Sequence, residues 1–197
     1  MKLYYVYDAL CGWCYGFSPV IQRFAKEHPD VPIHVVSGGM ITGERIGPIG
    51  EVAGYISWAY KHVEDRCGVT FGKDFLEGTM KEGTTVFTSI PPAVALVVFR
   101  ELRPQDQLSF AGDLQRAIYY DGVDPADYTA YAERAAEYGV DPEKFIANCA
   151  QPAALERAEA DFQLAGRWGV TGFPTVVKEE NGKLSVVAQG YVGELRV

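Results

Sequence analysis

Leu3-Tyr4-Tyr5-Val6-Tyr7 is an unbroken run of apolar, aromatic and branched residues without Gly or Pro, the pattern of a short buried strand. After it, Val20, Ile21, Phe24 and Ala25 recur at helical spacing until His28-Pro29 ends the run. Pro32-Ile33-His34-Val35-Val36 then reads as a second strand. Strand, helix and strand in that order make a βαβ unit, which sets the two strands parallel. Gly38-Gly39-Met40 leaves the second strand, and the stretch from Gly43 to Gly50 is rich in glycine. It lacks the Lys-Ser/Thr of a phosphate-cradling loop, so a plain crossover is expected there.

From about Glu51 to about Trp168 the pattern turns helical. Val52, Tyr55, Ile56, Ala59 and Val63 follow a helix period up to Cys67-Gly68. Tyr55, Trp58 and Tyr60 on that run belong in the core at this spacing, the alternative being the wall of a groove. Ser89-Ile90-Pro91-Pro92 opens an apolar segment from Ala93 to Leu102, a helix with proline in its first turn. Being apolar nearly all round, it is expected to be the most buried helix of the region. Phe110, Leu114, Ala117, Ile118 and Tyr120 mark another helix, stopped by Asp121-Gly122. Asp124-Pro125 and Asp141-Pro142 each read as an N-cap followed by a first-turn proline, predicting helices over Ala126–Tyr138 and Glu143–Cys149. Gln151-Pro152 precedes a last helix through Leu155, Phe162 and Leu164 to Trp168.

Strand character returns at Thr175-Val176-Val177-Lys178, and Leu184-Ser185-Val186-Val187-Ala188 follows it across Asn181-Gly182, a strong hairpin signal. No internal repeat, low-complexity tract or linker interrupts the chain. The expected class is α/β. Residues 1–43 and 169–197 form a discontinuous sheet domain of β-α-β and β-β halves, and 44–168 form an all-helical insertion between them. The residues after Gly190 are too few for a further helix.

Candidate chemistry sits where the first strand meets the first helix. Cys11-Gly12-Trp13-Cys14 places two cysteines three apart, on one face of the helix start, close enough for a disulfide. The first sulfur lies at the helix N-terminus, where unpaired N–H groups and the dipole favour an anion, and the thiolate is the form that attacks disulfides. Cys11 is therefore the candidate nucleophile. Cys14, one turn in and more buried, is the candidate to resolve a mixed disulfide. Half of a zinc site, an inert structural disulfide and coincidence are the other readings of such a pair. Cys67 and Cys149 stand alone and His28, His34 and His62 show no ligand spacing, so no metal is expected. Both lone cysteines read as unreactive core thiols.

Composition narrows the partners. The 197 residues are 48% hydrophobic and 22% charged, enough for one sizeable core. A net charge of −8 and a pI near 4.9 argue against a nucleic-acid or anionic-membrane surface. No segment is long and apolar enough to span a bilayer, and the N-terminal run is too short for a signal-peptide core, so a cytoplasmic protein is expected.

With these residues placed, the chain resembles the thioredoxin superfamily, and within it the DsbA-like branch. The likeness rests on Cys11-Gly12-Trp13-Cys14 after the first strand, on the helical insertion, and on Val170-Thr171-Gly172-Phe173-Pro174-Thr175. Pro19, five residues after Cys14, stands where thioredoxins carry a helix-kinking proline. The run Cys-Gly-Trp-Cys-Tyr-Gly-Phe and Ser89-Ile90-Pro91-Pro92 are similar to bacterial cytoplasmic disulfide isomerases of the FrnE type. The resemblance implies a thioredoxin fold and a cis Pro174 facing the cysteines, an ordinary trans-proline opening a strand being the other reading. It also implies that the Phe173 backbone binds an extended substrate, and that no cofactor is needed beyond a redox-active Cys11–Cys14 disulfide. The DsbA proteins carry a histidine between their cysteines, and this chain carries Gly12-Trp13 instead. With no added positive charge there, the potential is expected in the lower half of the range of about −270 to −120 mV.

Asp8 is a candidate for proton transfer to Cys14, with a strand-end or capping aspartate as the other reading. Trp13 is a candidate apolar contact for substrate, or else an exposed packing aromatic. The leading function is thiol–disulfide exchange with a protein or small-thiol substrate, glutathione among the latter. A glutathione-dependent transferase or isomerase of the kappa and 2-hydroxychromene-2-carboxylate isomerase type is the second reading. A non-enzymatic metal- or peptide-binding module is the third.

Overall fold

The computed structural model describes the whole chain, Met1–Val197. Strand β1 (Lys2–Tyr7) runs into helix α1 (Gly12–Glu27), which returns through β2 (Ile33–Ser37). β1 and β2 are parallel, with Tyr5 opposite Val35. The second half of the sheet is a hairpin, β5 (Thr175–Glu180) and β6 (Lys183–Gln189). Asn181 and Gly182 make its turn with φ of 51° and 73°, the left-handed pair that suits a strand-twisted two-residue loop. β5 pairs antiparallel with β1, giving one sheet in the order β2-β1-β5-β6.

The unbroken apolar run of β1 follows from burial on both faces. Leu3, Tyr5 and Tyr7 point into the main core, while Val6 packs with Val36, Val177 and Ala165 on the opposite side. Pro19 lies inside α1 on its exposed side. The residues after β6 return as coil along α1, where Arg23 Nη2 donates to the Gly193 carbonyl (2.9 Å) and Leu195 is buried.

Between β2 and β5 the chain is mostly helical, but the all-helical insertion expected from the sequence is interrupted by two short strands that pair with each other. A short strand β3 (Gly47–Pro48) precedes α2 (Ala53–Cys67), which ends on Gly68 in the left-handed region, φ 73°. A π-helical stretch (Asp74–Thr79) continues into the single turn α3 (Met80–Glu82), and β4 (Val86–Phe87) pairs with β3. Helices α4 (Ile90–Leu102), α5 (Gln107–Tyr119), α6 (Tyr128–Ala136), α7 (Pro142–Cys149) and α8 (Pro152–Arg167) complete the insertion. In α4 every residue from Pro92 to Phe99 is buried. Phe99 stacks on Phe110 of α5 at 3.9 Å between ring centroids.

Helices also close the open edge of β2, where unpaired peptide groups would otherwise invite another strand. Gln107 Oε1 accepts from Val35 N (2.9 Å), Arg100 Nη1 donates to Val35 O (2.7 Å) and Asp161 Oδ2 accepts from Ser37 N (3.2 Å). Arg100 and Asp161 pair bidentately at 3.0 and 3.1 Å.

Two further sequence expectations are corrected. The helix expected over Ala126–Tyr138 begins at Tyr128, because Asp127 caps it by accepting from Thr129 N and Ala130 N at 2.9 and 3.2 Å. Asp124 instead accepts from Ala126 N in the preceding turn (2.8 Å). The apolar stripe of α2 is not core either. Of its residues only Val63 is buried, and Tyr55 and Trp58 are 64% and 62% exposed.

Candidate active site

Cys11 is the N-cap of α1, in extended conformation at φ −95° and ψ 109°. Its Sγ takes the place of a capping oxygen and accepts from Cys14 N at 3.3 Å. The same sulfur lies 3.6 Å from the Phe173 carbonyl, to which its thiol donates. Cys11 is 5% exposed and Cys14 wholly buried, both as free thiols. Burial, reinforced by the neighbouring Cys11, pushes the Cys14 thiol well above its usual range. Cys14 therefore stays protonated while Cys11 lies at the surface end of the pair.

The Phe173–Pro174 peptide is cis and closes over this sulfur from the start of β5. The Phe173 ring lies against Gly38, just past β2. A Cβ at residue 38 would come within 2.1 Å of the Phe173 ring, so only glycine leaves room for it. Gly38→Ala is therefore expected to cost about 1–3 kcal/mol of stability, the range for overpacking. It is also expected to slow disulfide exchange several-fold by displacing the Phe173 carbonyl. Denaturant unfolding and an exchange assay measured together check this, and unchanged exchange would show that Phe173 is not held by this contact.

Asp8 lies beneath the pair. Oδ1 accepts from Leu10 N (2.9 Å) and Ser89 Oγ (2.9 Å), and Oδ2 accepts from Met40 N (2.7 Å). Its backbone carbonyl accepts from Cys11 N at 3.1 Å and Gln115 Nε2 at 3.3 Å. Burial raises the Asp8 carboxyl above its ordinary range, and the bonds from Met40, Leu10 and Ser89 pull it back.

Sequence reasoning missed the tyrosines around the sulfurs. Tyr5 is fully buried, with its hydroxyl 3.4 Å from the Cys14 carbonyl. Tyr119 of α5 donates to the Leu10 carbonyl at 2.5 Å. Both hydroxyls are pushed well up by burial, with further contributions from the cysteine sulfurs. Tyr5 reads in the sequence only as a core strand residue, and Tyr119 reaches the loop from more than a hundred residues away.

A groove of about 250 Å3 opens from Cys11 toward α2. Leu10, Trp13, Met40, Tyr55, Ile56 and Phe71 are among its walls, and no charged side chain lines it. The α2 stripe thus lines a groove that it shares with Cys11, and Tyr55 and Tyr60 are among its walls. Trp58 is turned away from it, its ring 4.2 Å from that of His62. Trp13 forms the rim and packs against Tyr191 at 6.3 Å. The structure therefore brings Asp8, Cys11, Trp13, Cys14, Phe173 and Pro174 to one place. Cys67 and Cys149 lie elsewhere, and burial pushes their thiols up to about 11 and about 12. Nowhere do three His, Cys, Asp or Glu side chains gather as metal ligands.

No family model and no curated protein matches the chain. Solved structures do. The cytosolic disulfide reductase DsbM from Pseudomonas aeruginosa is 32% identical with a TM-score of 0.81, over 95% of this chain and 89% of that one. The same protein with GSH gives 33% and 0.79 over 95% and 90%. A structure described as a "putative protein disulfide isomerase" from Nitrosomonas europaea is 26% identical with a TM-score of 0.85, over 97% and 90%. A 2-hydroxychromene-2-carboxylate isomerase shares the fold alone, at 14% identity and a TM-score of 0.65 over 96% and 89%.

Proposed function

The chain belongs to the DsbA-like branch of the thioredoxin superfamily, and on that premise we propose that it reduces or isomerises disulfides flanked by apolar residues. Thiol–disulfide exchange is the activity its relatives carry. What supports the finer reading is the apolar groove that begins at the Cys11 sulfur.

The exchange runs in two displacements. The Cys11 thiolate attacks one sulfur of the substrate disulfide. That S–S bond breaks, and the other substrate sulfur leaves as a thiolate that takes a proton. Cys14 then loses its proton and attacks the Cys11 sulfur, which forms the Cys11–Cys14 disulfide and frees the second substrate thiol. Two electrons and two protons pass to the substrate, and an external thiol such as glutathione returns the pair to the reduced form. The cap position of Cys11 supports its role as attacker, since its sulfur sits at the open end of the pair beside the groove while Cys14 is fully enclosed. A cytosolic setting, where thiols are kept reduced, suits that direction.

A substrate residue next to the attacked cysteine must lie along the groove, and its walls favour an apolar side chain. Burying one such side chain contributes about 1.5–3 kcal/mol, or roughly 10- to 100-fold in binding. Ile56→Lys should therefore lower kcat/KM at least about 10-fold for a peptide disulfide flanked by leucine. A glycine-flanked peptide should lose much less. Equal losses for both peptides would sink the groove reading. The direction is read from a redox titration in glutathione buffers: a midpoint near about −270 mV marks a reductase, one near about −180 mV an isomerase, and one near about −120 mV would mark an oxidant instead.

A further inference from the structure

Ser89 stands at the N-cap of α4, where a serine oxygen ordinarily accepts from the N–H of the second or third helical residue. Those residues are Pro91 and Pro92, which have no N–H to offer. The hydroxyl makes no capping bond, and the N–H of Ile90 is met at 3.3 Å by Thr88 Oγ1. Ser89 Oγ is thereby free for the catalytic loop. It accepts from Ile41 N at 2.9 Å, which leaves its own proton to Asp8 Oδ1, also at 2.9 Å. Ser89 is only 2% exposed, so this is a closed internal contact.

We propose that Ser89 is a positioning residue of the dithiol site, holding the Asp8 carboxylate ionised and in place to take the proton that Cys14 gives up. The inference rests on the reading of Cys14 as the resolving thiol. The groups bonded to the Asp8 oxygens are donors: Leu10 N, Met40 N and the Ser89 hydroxyl, with the Gly39 N–H also acting on the carboxylate. A carboxylate satisfies all of them, whereas a protonated carboxyl would aim a hydrogen at a donor. Tyr7 on β1, Cys14 on α1 and Tyr119 on α5 lie within electrostatic reach of Asp8, and no cation pairs with its carboxylate. With no cation there to hold the charge, the hydrogen bonds carry that task. In the resolving step the Cys14 proton passes to Asp8, and the Cys14 sulfur forms its bond to the Cys11 sulfur. The substrate sulfur leaves with the electron pair of the broken bond. Asp8 then releases the proton to solvent, from which the departing thiolate is protonated.

Loss of the Ser89 hydroxyl raises the carboxyl and withdraws the base over part of the pH range. The acid limb of the resolving step must then move upward. A bond from a neutral hydroxyl to a carboxylate corresponds to a displacement of about one pH unit.

The test mixes reduced protein with an aromatic disulfide, 5,5′-dithiobis(2-nitrobenzoate). The first thionitrobenzoate is released when Cys11 attacks, and the second when Cys14 resolves. Cys67 and Cys149, with thiols pushed up to about 11 and about 12, are expected to react more slowly than either phase. In Ser89→Ala the acid limb of the second phase should lie about one pH unit higher, relative to that of the first, than in the wild type. Ser89→Thr should restore it, and in an Asp8→Asn background Ser89→Ala should shift nothing further. If Ser89→Ala fails to fold, Ser89→Thr and Ser89→Val differ only by hydroxyl against methyl and carry the same comparison. Coincident limbs, or a shift that persists in Asp8→Asn, would overturn the inference about Ser89 alone. No second phase in the wild type would overturn the reading of Cys14 instead.

Discussion

Replacing Cys14 by serine is expected to convert the protein into a trap. Cys11 keeps its place at the helix N-terminus, so the first displacement proceeds, but a serine oxygen cannot resolve the mixed disulfide it forms. Covalent adducts of protein and substrate should accumulate, visible as mass increments that a reductant removes. Cys11→Ser should form none, and disulfide turnover should fall by at least about three orders of magnitude, as expected when a nucleophile is removed. The asymmetry follows from burial: Cys14 is fully enclosed and its thiol pushed well above its usual range, so it does not stand in as attacker. Alkylation at neutral pH should likewise mark Cys11 and spare Cys14. Adducts that form through Cys14 in the Cys11→Ser protein would reverse the assignment of roles.

The largest effect on stability is expected at Asp161, remote from the sulfurs. Its side chain and that of Arg100 are 8% and 17% exposed and bonded to each other, and both also hold the outer edge of β2. Asp161→Ala leaves the guanidinium buried without its counter-charge and the Ser37 N–H without an acceptor. Breaking such a pair from one side costs about 3–5 kcal/mol. At about 2–4 °C per kcal/mol for a chain of this size, Tm should fall by roughly 10 °C. Thermal and urea unfolding measure it. Replacing both residues by apolar ones of similar size, Asp161→Leu with Arg100→Met, should recover much of the loss, because neither charge is then stranded. A loss below about 1 kcal/mol for Asp161→Ala would mean that water reaches the pair and that the edge of β2 is held by other contacts.

Much of the architecture was legible because its signals are local. An apolar run without Gly or Pro before the cysteines reads as a strand whatever lies around it, and the glycine after the asparagine at 181 reads as a hairpin turn. The cysteine spacing placed both sulfurs at a helix start, where the structure has them. Local signals became ambiguous where two sites carry the same one. Asp124-Pro125 and Asp141-Pro142 look alike, yet only Asp141 caps a helix at its proline, accepting from Lys144 N at 2.8 Å. At the other site Pro125 lends its carbonyl to the Tyr131 hydroxyl at 3.0 Å, and the helix waits for Asp127.

The period of apolar residues along α2 determined that one face would be apolar, and by itself it determined no more. Whether Tyr55 and Ile56 meet a core or border a groove depends on what packs opposite, and that is set by residues distant in the chain. Ser89 shows the same division. Its sequence, with two prolines where capped N–H groups belong, determined what the hydroxyl would not do. Only the packing of the inserted helices against the loop after β1 decided that its partner would be Asp8, eighty-one residues earlier. Strand, helix and turn formation follow from neighbours a few residues apart. The partners of a buried polar group are decided by which distant elements the hydrophobic core presses together.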